Sequence, residues 1–323
     1  MDPRLLLSAL SSERAISGTE LATRLGVTRA AIWKQIEILR ELGIAIEATA
    51  GAGYRLLWPI ELLDAVAIRA RMPRTQYDRL SELDIRWQID STNSELLRRA
   101  VDASLDRIVC LAETQSAGRG RRGRSWHSPL AGNLYCSVLR RFPHGMAGLS
   151  GLSLAVGVAV IRALADCGID EVGLKWPNDV LARGKKLAGI LVELGGEFLG
   201  PCHAVVGVGI NLRLHAADDA IDQPWIDLAT LSDVTPPSRN RLAAQLIARL
   251  LEALDDFAAH GFAAFVDAYA QNDLLAGKPI RLNTPQGSQD GIAIGVDERG
   301  ALRVRESDAI RSYDSVEVSV RSI

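Results

Sequence analysis

The segment Gly118-Arg119-Gly120-Arg121-Arg122-Gly123-Arg124-Ser125-Trp126 constrains the fold of this chain more than any other. Its glycines at 118, 120 and 123 satisfy GxGxxG, the spacing with which a strand-turn-helix cradles a dinucleotide pyrophosphate. That cradle needs a helix directly after it. Ser128-Pro129 and Gly132-Asn133 follow instead, and they break helices. The spacers are arginines, which a backbone approaching a pyrophosphate does not need. The dinucleotide fold is excluded on this context, and a flexible four-arginine loop remains. Each guanidinium is a planar fork of donors suited to phosphate or carboxylate. The bland alternative is a solvated basic loop. Against it, Lys plus Arg is 37 and Asp plus Glu is 39, so four arginines in seven residues are a local concentration in a chain of net charge −2.

That balance excludes a chain-wide basic field for nucleic acid but leaves a local one possible. The 323 residues suffice for two or three domains. Cys110, Cys136, Cys167 and Cys202 lie far apart with no CxxC pair, so no zinc or redox motif is indicated. The start lacks a signal-peptide pattern, and Met146 to Ile161 is too short and Gly/Ala-rich for a membrane span. A reduced, cytoplasmic protein without membrane association is expected.

The first sixty residues read as three short helices and a hairpin. Leu5, Leu6, Leu7 and Leu10 mark the first helix. Ser17-Gly18-Thr19-Glu20 reads as a capping box, Gly26 as a stop and Thr28 as the next cap. Ile32, Ile36, Leu39 and Leu42 keep helical spacing. Ile44, Ile46 and Ala48 then alternate, and Gly51 and Gly53 turn the chain into Tyr54-Arg55-Leu56. This is the order of a winged helix-turn-helix. Its candidate DNA-facing residues are Thr28, Arg29, Ala30, Trp33 and Lys34, with Arg55 in the wing. Trp33 reads equally well as packing against the first two helices. The segment carries seven basic and six acidic residues, too even for strong non-specific DNA affinity.

Beyond Pro59, strands at Ile108–Ala112, Leu134–Leu139, Val172–Lys175, Leu187–Glu193 and Val205–Leu212 alternate with helices at Ser94–Ala103, Ser153–Cys167 and Arg239–His260. This is a mixed α/β pattern. From Pro279, short stretches at Ile280–Leu282, Ile292–Val296, Leu302–Val304 and Val316–Val320 point to a small β-barrel or sandwich. The chain reads as an α/β (α+β) multidomain protein.

Four further clusters stand out. Lys175-Trp176-Pro177-Asn178-Asp179 ends a strand in a turn, where a carboxylate can hold a metal or orient a lysine, or where turn formers simply turn. Lys186 begins the apolar strand Leu187-Ala188-Gly189-Ile190-Leu191-Val192-Glu193, and Gly189 permits close approach. Gly207 and Gly209 alternate on a strand ending at Asn211, so a ligand or a packed helix fills the missing side-chain space. Asp90-Ser91-Thr92-Asn93 is a helix cap or a helix N-terminus offered to an anion or amide. The five histidines show no metal-ligand spacing, and there is no GxSxG or P-loop.

In order and spacing, these clusters together with Glu113-Thr114-Gln115-Ser116-Ala117 before the arginine loop resemble the biotin protein ligases. The first sixty residues resemble the two-function members, which also repress the biotin operon, and the last segment resembles their SH3-like domain. The resemblance implies a winged helix-turn-helix at 1–62, a ligase domain at 63–273 and an SH3-like β-barrel at 274–323. It implies that biotin and ATP, with Mg²⁺, give biotinyl-5'-AMP, and that biotin then passes to a lysine of the apo-biotin carboxyl carrier protein. No permanently bound prosthetic group is implied.

By position, Ser91, Thr92, Asn93 and Gln115 would contact the biotin ureido ring and neighbouring atoms. Arg119, Gly120 and Arg121 would line the biotin carboxylate and adenylate phosphate, and Lys186 would sit beside both; Lys186, Arg119 and Arg121 would be catalytic. Trp126, Lys175, Asn178, Asp179, Asn211 and Trp225 would complete the nucleotide side, with Asp179 near the metal directly or through water. The resemblance further implies biotin operator DNA as a partner and a homodimer promoted by biotinyl-5'-AMP as co-repressor. A ligand-responsive regulator with little ligase activity and a lipoate or octanoate ligase relative are the alternatives. So is a winged helix that only steadies the enzyme.

Overall fold

A computed structural model describes residues 2–214, 221–231, 236–284, 287–307, 309–314 and 319–322. His215 and Val316 to Val318 of the expected last strand lie outside the described residues.

Helices α1 (Pro3–Ala9), α2 (Gly18–Leu25) and α3 (Arg29–Glu41) precede the hairpin β1 (Ile46–Thr49) and β2 (Gly53–Leu56). Ser17 caps α2 by accepting from Glu20 N at 3.1 Å. Only this half of the expected capping box forms among the described contacts. The Glu20 carboxylate pairs instead with Arg14 at 3.0 Å, a stronger partner than a neutral amide. Gly26 ends α2 in the left-handed region, and Thr28 caps α3. Ile32, Ile36 and Leu39 are buried against Leu6, Leu21 and Leu56. Two residues of this small core come from far along the chain, Leu130 and Ala131. Leu130 N donates to Leu42 O at 2.7 Å.

After two short helices, α4 (Ala65–Arg69) and α5 (Arg74–Tyr77), a seven-stranded sheet forms. Its elements are β3 (Glu82–Ile89), α6 (Thr92–Arg99), β4 (Ile108–Gln115), β5 (Asn133–Phe142), α7 (Leu152–Ala165), β6 (Gly173–Lys175), β7 (Asp179–Ala182), β8 (Lys185–Gly196) and β9 (Cys202–Asn211). The spatial order is β3-β4-β5-β9-β8-β7-β6, with only the β3–β4 pair parallel. Short α8 (Leu228–Leu231) and long α9 (Arg239–His260) follow, then α10 (Val266–Ala270).

Alternation along the strands decides the layers. Leu134, Cys136, Val138, Val206, Val208 and Ile210 point to the face covered by α7 and α9, the main core. Each fully buried aliphatic side chain there contributes roughly 1.5–3 kcal/mol. Leu139, Val205 and Cys110 point to the other face, covered by Leu96 of α6 and by Ala100, its C-cap. Desolvation on that face pushes the Cys110 thiol up to about 12, and all four cysteines are free, in keeping with structural roles.

Three strands fall outside the sequence expectations: β3 and β7 here, and Ala309–Tyr313 in the last sheet. β3 is an edge strand whose polar residues leave it half exposed, and β7 has only four residues. Helix α6 begins two residues earlier than expected because Ser91 caps it. The last sheet has β10 (Pro279–Thr284), β11 (Gly287–Val296), β12 (Leu302–Glu306), β13 (Ala309–Tyr313) and β14 (Ser319–Ser322) in the order β13-β12-β11-β10-β14. A register shift between Ala293 and Val296 bends β11.

A buried ion pair joins these parts. Arg239, at the start of α9, donates to Glu113 of β4 at 2.7 Å, and both side chains are over 90% buried. Arg239 also donates to Glu61 O and to Asn133 O, while Glu113 accepts from Leu63 N. The Glu61 carboxylate in turn caps α9, accepting from Arg239 N, Ser238 Oγ and Asn240 Nδ2. The segment leaving the winged helix is thereby clamped to the sheet. Arg239→Met would strand a buried carboxylate, and a loss of about 3–5 kcal/mol is expected in urea denaturation. A loss below about 1 kcal/mol contradicts this role.

Candidate active site

The site lies on the α6 side of the sheet, where three glycines remove the side chains that would fill it. Gly209 pairs with Gly189 across β9 and β8, and Gly207 pairs with Leu191. Two side chains use the space. Asn93 of α6 lies against Gly207, and the Trp126 indole lies over Gly189 and Gly209. A Cβ at 209 would meet Trp126 Cε2 at 2.5 Å. The alternate glycines thus serve both a helix residue and a loop residue.

This leaves a cleft of about 1390 Å³. Every binding and catalytic residue expected from the sequence outside the DNA-binding region lines it, from Ser91 to Trp225. One end is a polar network. Thr92 N and Oγ1 both meet Gln115 Oε1, at 2.9 and 3.2 Å. Gln115 Nε2 donates to Ser128 Oγ at 3.2 Å. Ser137 Oγ lies 2.7 Å from Thr92 Oγ1 and 2.6 Å from Asn93 Oδ1. Asn93 Nδ2 donates to Glu193 at 2.9 Å and to Leu191 O at 3.3 Å. The Asn93 amide is therefore already spoken for within the protein, whereas Ser91 serves as the α6 cap.

The arginine loop is a folded hairpin over the cleft. Gly120 N donates to Arg124 O at 2.7 Å, Trp126 N donates to Gly118 O, and Arg119 faces Ser125. Arg122 and Gly123 take left-handed backbone angles at its tip. Arg119 pairs with Glu193 at 2.8 Å, and Arg121 donates to Asn178 Oδ1 at 3.1 Å. Burial, with Arg122 adding repulsion, lowers the pKa of Arg121, so an anion reaching it meets a poorly solvated cation. His127 lines the same cleft, and burial holds its imidazole below the usual range.

At the other end Lys186 is held from three sides. Its Nζ lies 2.8 Å from Asp179 Oδ1 and 5.5 Å from the centre of the Trp126 ring. Its backbone pairs with Pro224 and Ile226, which brings Trp225 alongside. Asn211 Nδ2 donates to both Lys186 O and Ile226 O. Lys175 and Asp179 pair across the β6–β7 hairpin, with Asn178 at the turn donating to Ile190 O. The two roles open for Asp179, holding a metal or orienting a lysine, meet at one carboxylate. Its Oδ1 is buried and ion-paired to Lys186 without a well-aligned hydrogen bond. No group of three or more His, Cys, Asp or Glu ligands gathers among the described residues.

The C-terminal sheet reaches this end too. Trp176 Nε1 donates to O of Gly300, between β11 and β12, at 3.1 Å, and the segment leading into the sheet exchanges backbone hydrogen bonds with Leu174 through Asn272 and Leu274. In the winged helix, Arg29, Ala30, Trp33 and Lys34 are exposed on α3; Trp33, at 60% exposure, does not pack against α1 or α2. Thr28 is exposed but its hydroxyl caps α3, and Arg55 pairs with Glu47 at 2.6 Å.

Sequence reasoning missed Ser137 and Arg239 and assigned no role to Glu113 or Glu193. Ser137 leaves one signal, a small polar residue within a largely apolar run of the strand. Arg239 leaves none, since its partners lie 106 to 178 positions away.

Residues 86–211 match the biotin/lipoate A/B protein ligase family model, residues 4–55 an HTH domain and residues 276–321 the biotin protein ligase C terminal domain. The bifunctional ligase/repressor BirA of Salmonella typhimurium is 38% identical over 321 residues, covering 99% of this chain and 98% of that one. The biotin–[acetyl-CoA-carboxylase] ligase of Mycobacterium tuberculosis is 40% identical over 68% of this chain and 82% of its own. Among solved structures, the biotin protein ligase of Aquifex aeolicus in complex with biotin and ATP has a TM-score of 0.64 and 28% identity, covering 76% of this chain and all of that one.

Gly209→Ala is expected to destabilise the chain by about 1–3 kcal/mol through collision with Trp126. Denaturation of Gly209→Ala in a Trp126→Ala background checks this, because the penalty should vanish there.

Proposed function

Because this chain belongs to the family of bifunctional biotin ligase/repressors, we propose that it joins biotin to ATP and then to a protein lysine, and regulates transcription with the same intermediate. The observation that carries the ligase reading is the convergence of Arg119, Arg121 and Lys186 on one cleft with the Thr92–Gln115–Ser137 network at its far end. Biotin has a matching polarity, with a urea at one end and a carboxylate at the other.

In the first step the biotin carboxylate attacks the α-phosphorus of ATP and pyrophosphate leaves. Anion meets polyanion, so cations must stand where charge grows. Lys186 sits beside the reacting carboxylate and phosphate, and Arg119 and Arg121 close over them from the loop. Arg119, Gly120 and Arg121 line the carboxylate and phosphate, while Lys175, Asn178, Asp179, Asn211, Trp126 and Trp225 border the nucleotide. Ser91, Thr92, Asn93 and Gln115 form the ureido end. Asp179 would meet the Mg²⁺ that accompanies ATP, directly or through water, and the ion would there offset phosphate charge. One carboxylate suits an ion held mostly by phosphate and water. In the second step a neutral lysine amine of the apo-biotin carboxyl carrier protein attacks the mixed anhydride and AMP leaves.

The division of labour we propose follows chain order. Residues 1–62 bind operator DNA through Thr28, Arg29, Ala30, Trp33 and Lys34, residues 63–273 catalyse, and the SH3-like residues 274–323 support the nucleotide end. Biotinyl-5'-AMP promotes a homodimer, which suits a DNA-binding unit whose charges nearly balance. No described helix is long and apolar enough to cross a membrane, and a cytoplasmic site of action fits the carrier protein as partner.

Incubation with ATP, Mg²⁺, labelled biotin and an apo-carrier domain tests the reading. Label should reach the carrier with release of AMP. Transfer of octanoate in its place supports the lipoate-type alternative, and operator binding without transfer supports the regulator. Lys186→Ala is expected to slow adenylate formation by about 10²–10³-fold in pyrophosphate exchange. Arg121→Gly should release adenylate that labels lysines at random; tight retention by this variant rules out the loop's guarding role. Gel-shift titration should show tighter operator binding with biotinyl-5'-AMP than without it.

A further inference from the structure

Arg119 has a partner within the protein. Its guanidinium lies 2.8 Å from Glu193 Oε2, on the same face of β8 as Gly189 and Leu191. The same Glu193 oxygen accepts from Asn93 Nδ2 at 2.9 Å. One carboxylate thus holds a residue of the arginine hairpin and a residue of helix α6. We propose that Glu193 is a positioning residue that stands in for the substrate carboxylate: it holds Arg119 until biotin arrives, then gives it up while keeping Asn93 in place. The proposal rests on the ligase reading above.

The physics is a competition between two carboxylates for one guanidinium. A ligand that needs Arg119 must displace Glu193, so its apparent affinity is reduced by the fraction of chains in which Arg119 is held. The pair is partly exposed, with side-chain accessibilities of 41% and 24%, so the competition is modest. Asn93 has no comparable choice. Ser137, Glu193 and Leu191 all engage its amide, and Gly207 leaves room for it. Glu193 therefore ties the ureido end of the cleft to the carboxylate end.

Glu193→Gln removes the competing charge but keeps an oxygen for Asn93. Calorimetric binding of biotin to the full-length chain should tighten by about two- to five-fold, a change in the range of an exposed ion pair. The biotin KM in pyrophosphate exchange should fall with it, and kcat should stay within about two-fold. In an Arg119→Gln background the same substitution should leave biotin affinity unchanged, because nothing is left to compete for. Glu193→Asn, which also drops the charge and keeps an amide oxygen, makes the same test if the Gln variant does not fold. Weaker or unchanged biotin binding in Glu193→Gln, or tightening that persists without Arg119, overturns the proposal. Failure of the wild-type chain to bind biotin at all would instead overturn the ligase reading.

Discussion

The buried pair of Glu113 and Arg239 fixes the geometry on which the rest depends. Neither charge is at ease out of water, so each must be surrounded by partners. Satisfying them brings together the exit of the winged helix, the end of β4, the start of α9 and the first residue of β5. Gln115 lies two residues beyond Glu113 on β4, and Asn133 immediately follows the stem of the arginine loop. One electrostatic requirement therefore sets where both walls of the cleft begin.

The cleft is built from two kinds of part, regular elements and a covering loop. Strands and α6 supply Gln115, Ser137, Lys186 and Asn93, whose backbones are tied into ladders or a capped helix. The loop supplies Arg119, Arg121 and Trp126. Its tip carries the charge, with Arg121 donating to Asn178 Oδ1, while its stem is pinned by Thr114 Oγ1 to Ser128 O and by Tyr135 OH to Pro129 O. A reactive anhydride needs both properties: fixed groups to align the attack and a cover to exclude water.

Much of this was legible in the sequence because local rules governed it. Caps at Ser17 and Thr28, the stop at Gly26 and the spacing of Ile32, Ile36 and Leu39 gave the helix-turn-helix directly. The glycines at 189, 207 and 209 announced missing volume, although not that Asn93 and Trp126 would occupy it. Strand β3 escaped notice because an edge strand keeps polar residues and lacks the apolar run that marked its neighbours. Arg239 was illegible for a different reason. Its role arises only when distant segments meet, and nothing near residue 239 encodes its partners. Glu20 shows the same limit on a small scale, since the box motif could not foresee Arg14.

Leu130 gives the architecture an inheritance it cannot easily shed. It belongs by sequence to the stem of the ligase loop, yet it is buried in the core of the winged helix and hydrogen-bonded to the end of α3. The DNA-reading head is thus not a detachable module. Recombination that exchanged it for another head would expose an apolar side chain beside the active-site loop unless the newcomer carried a socket for it. A change of head in this chain therefore calls for a matching change in the loop stem.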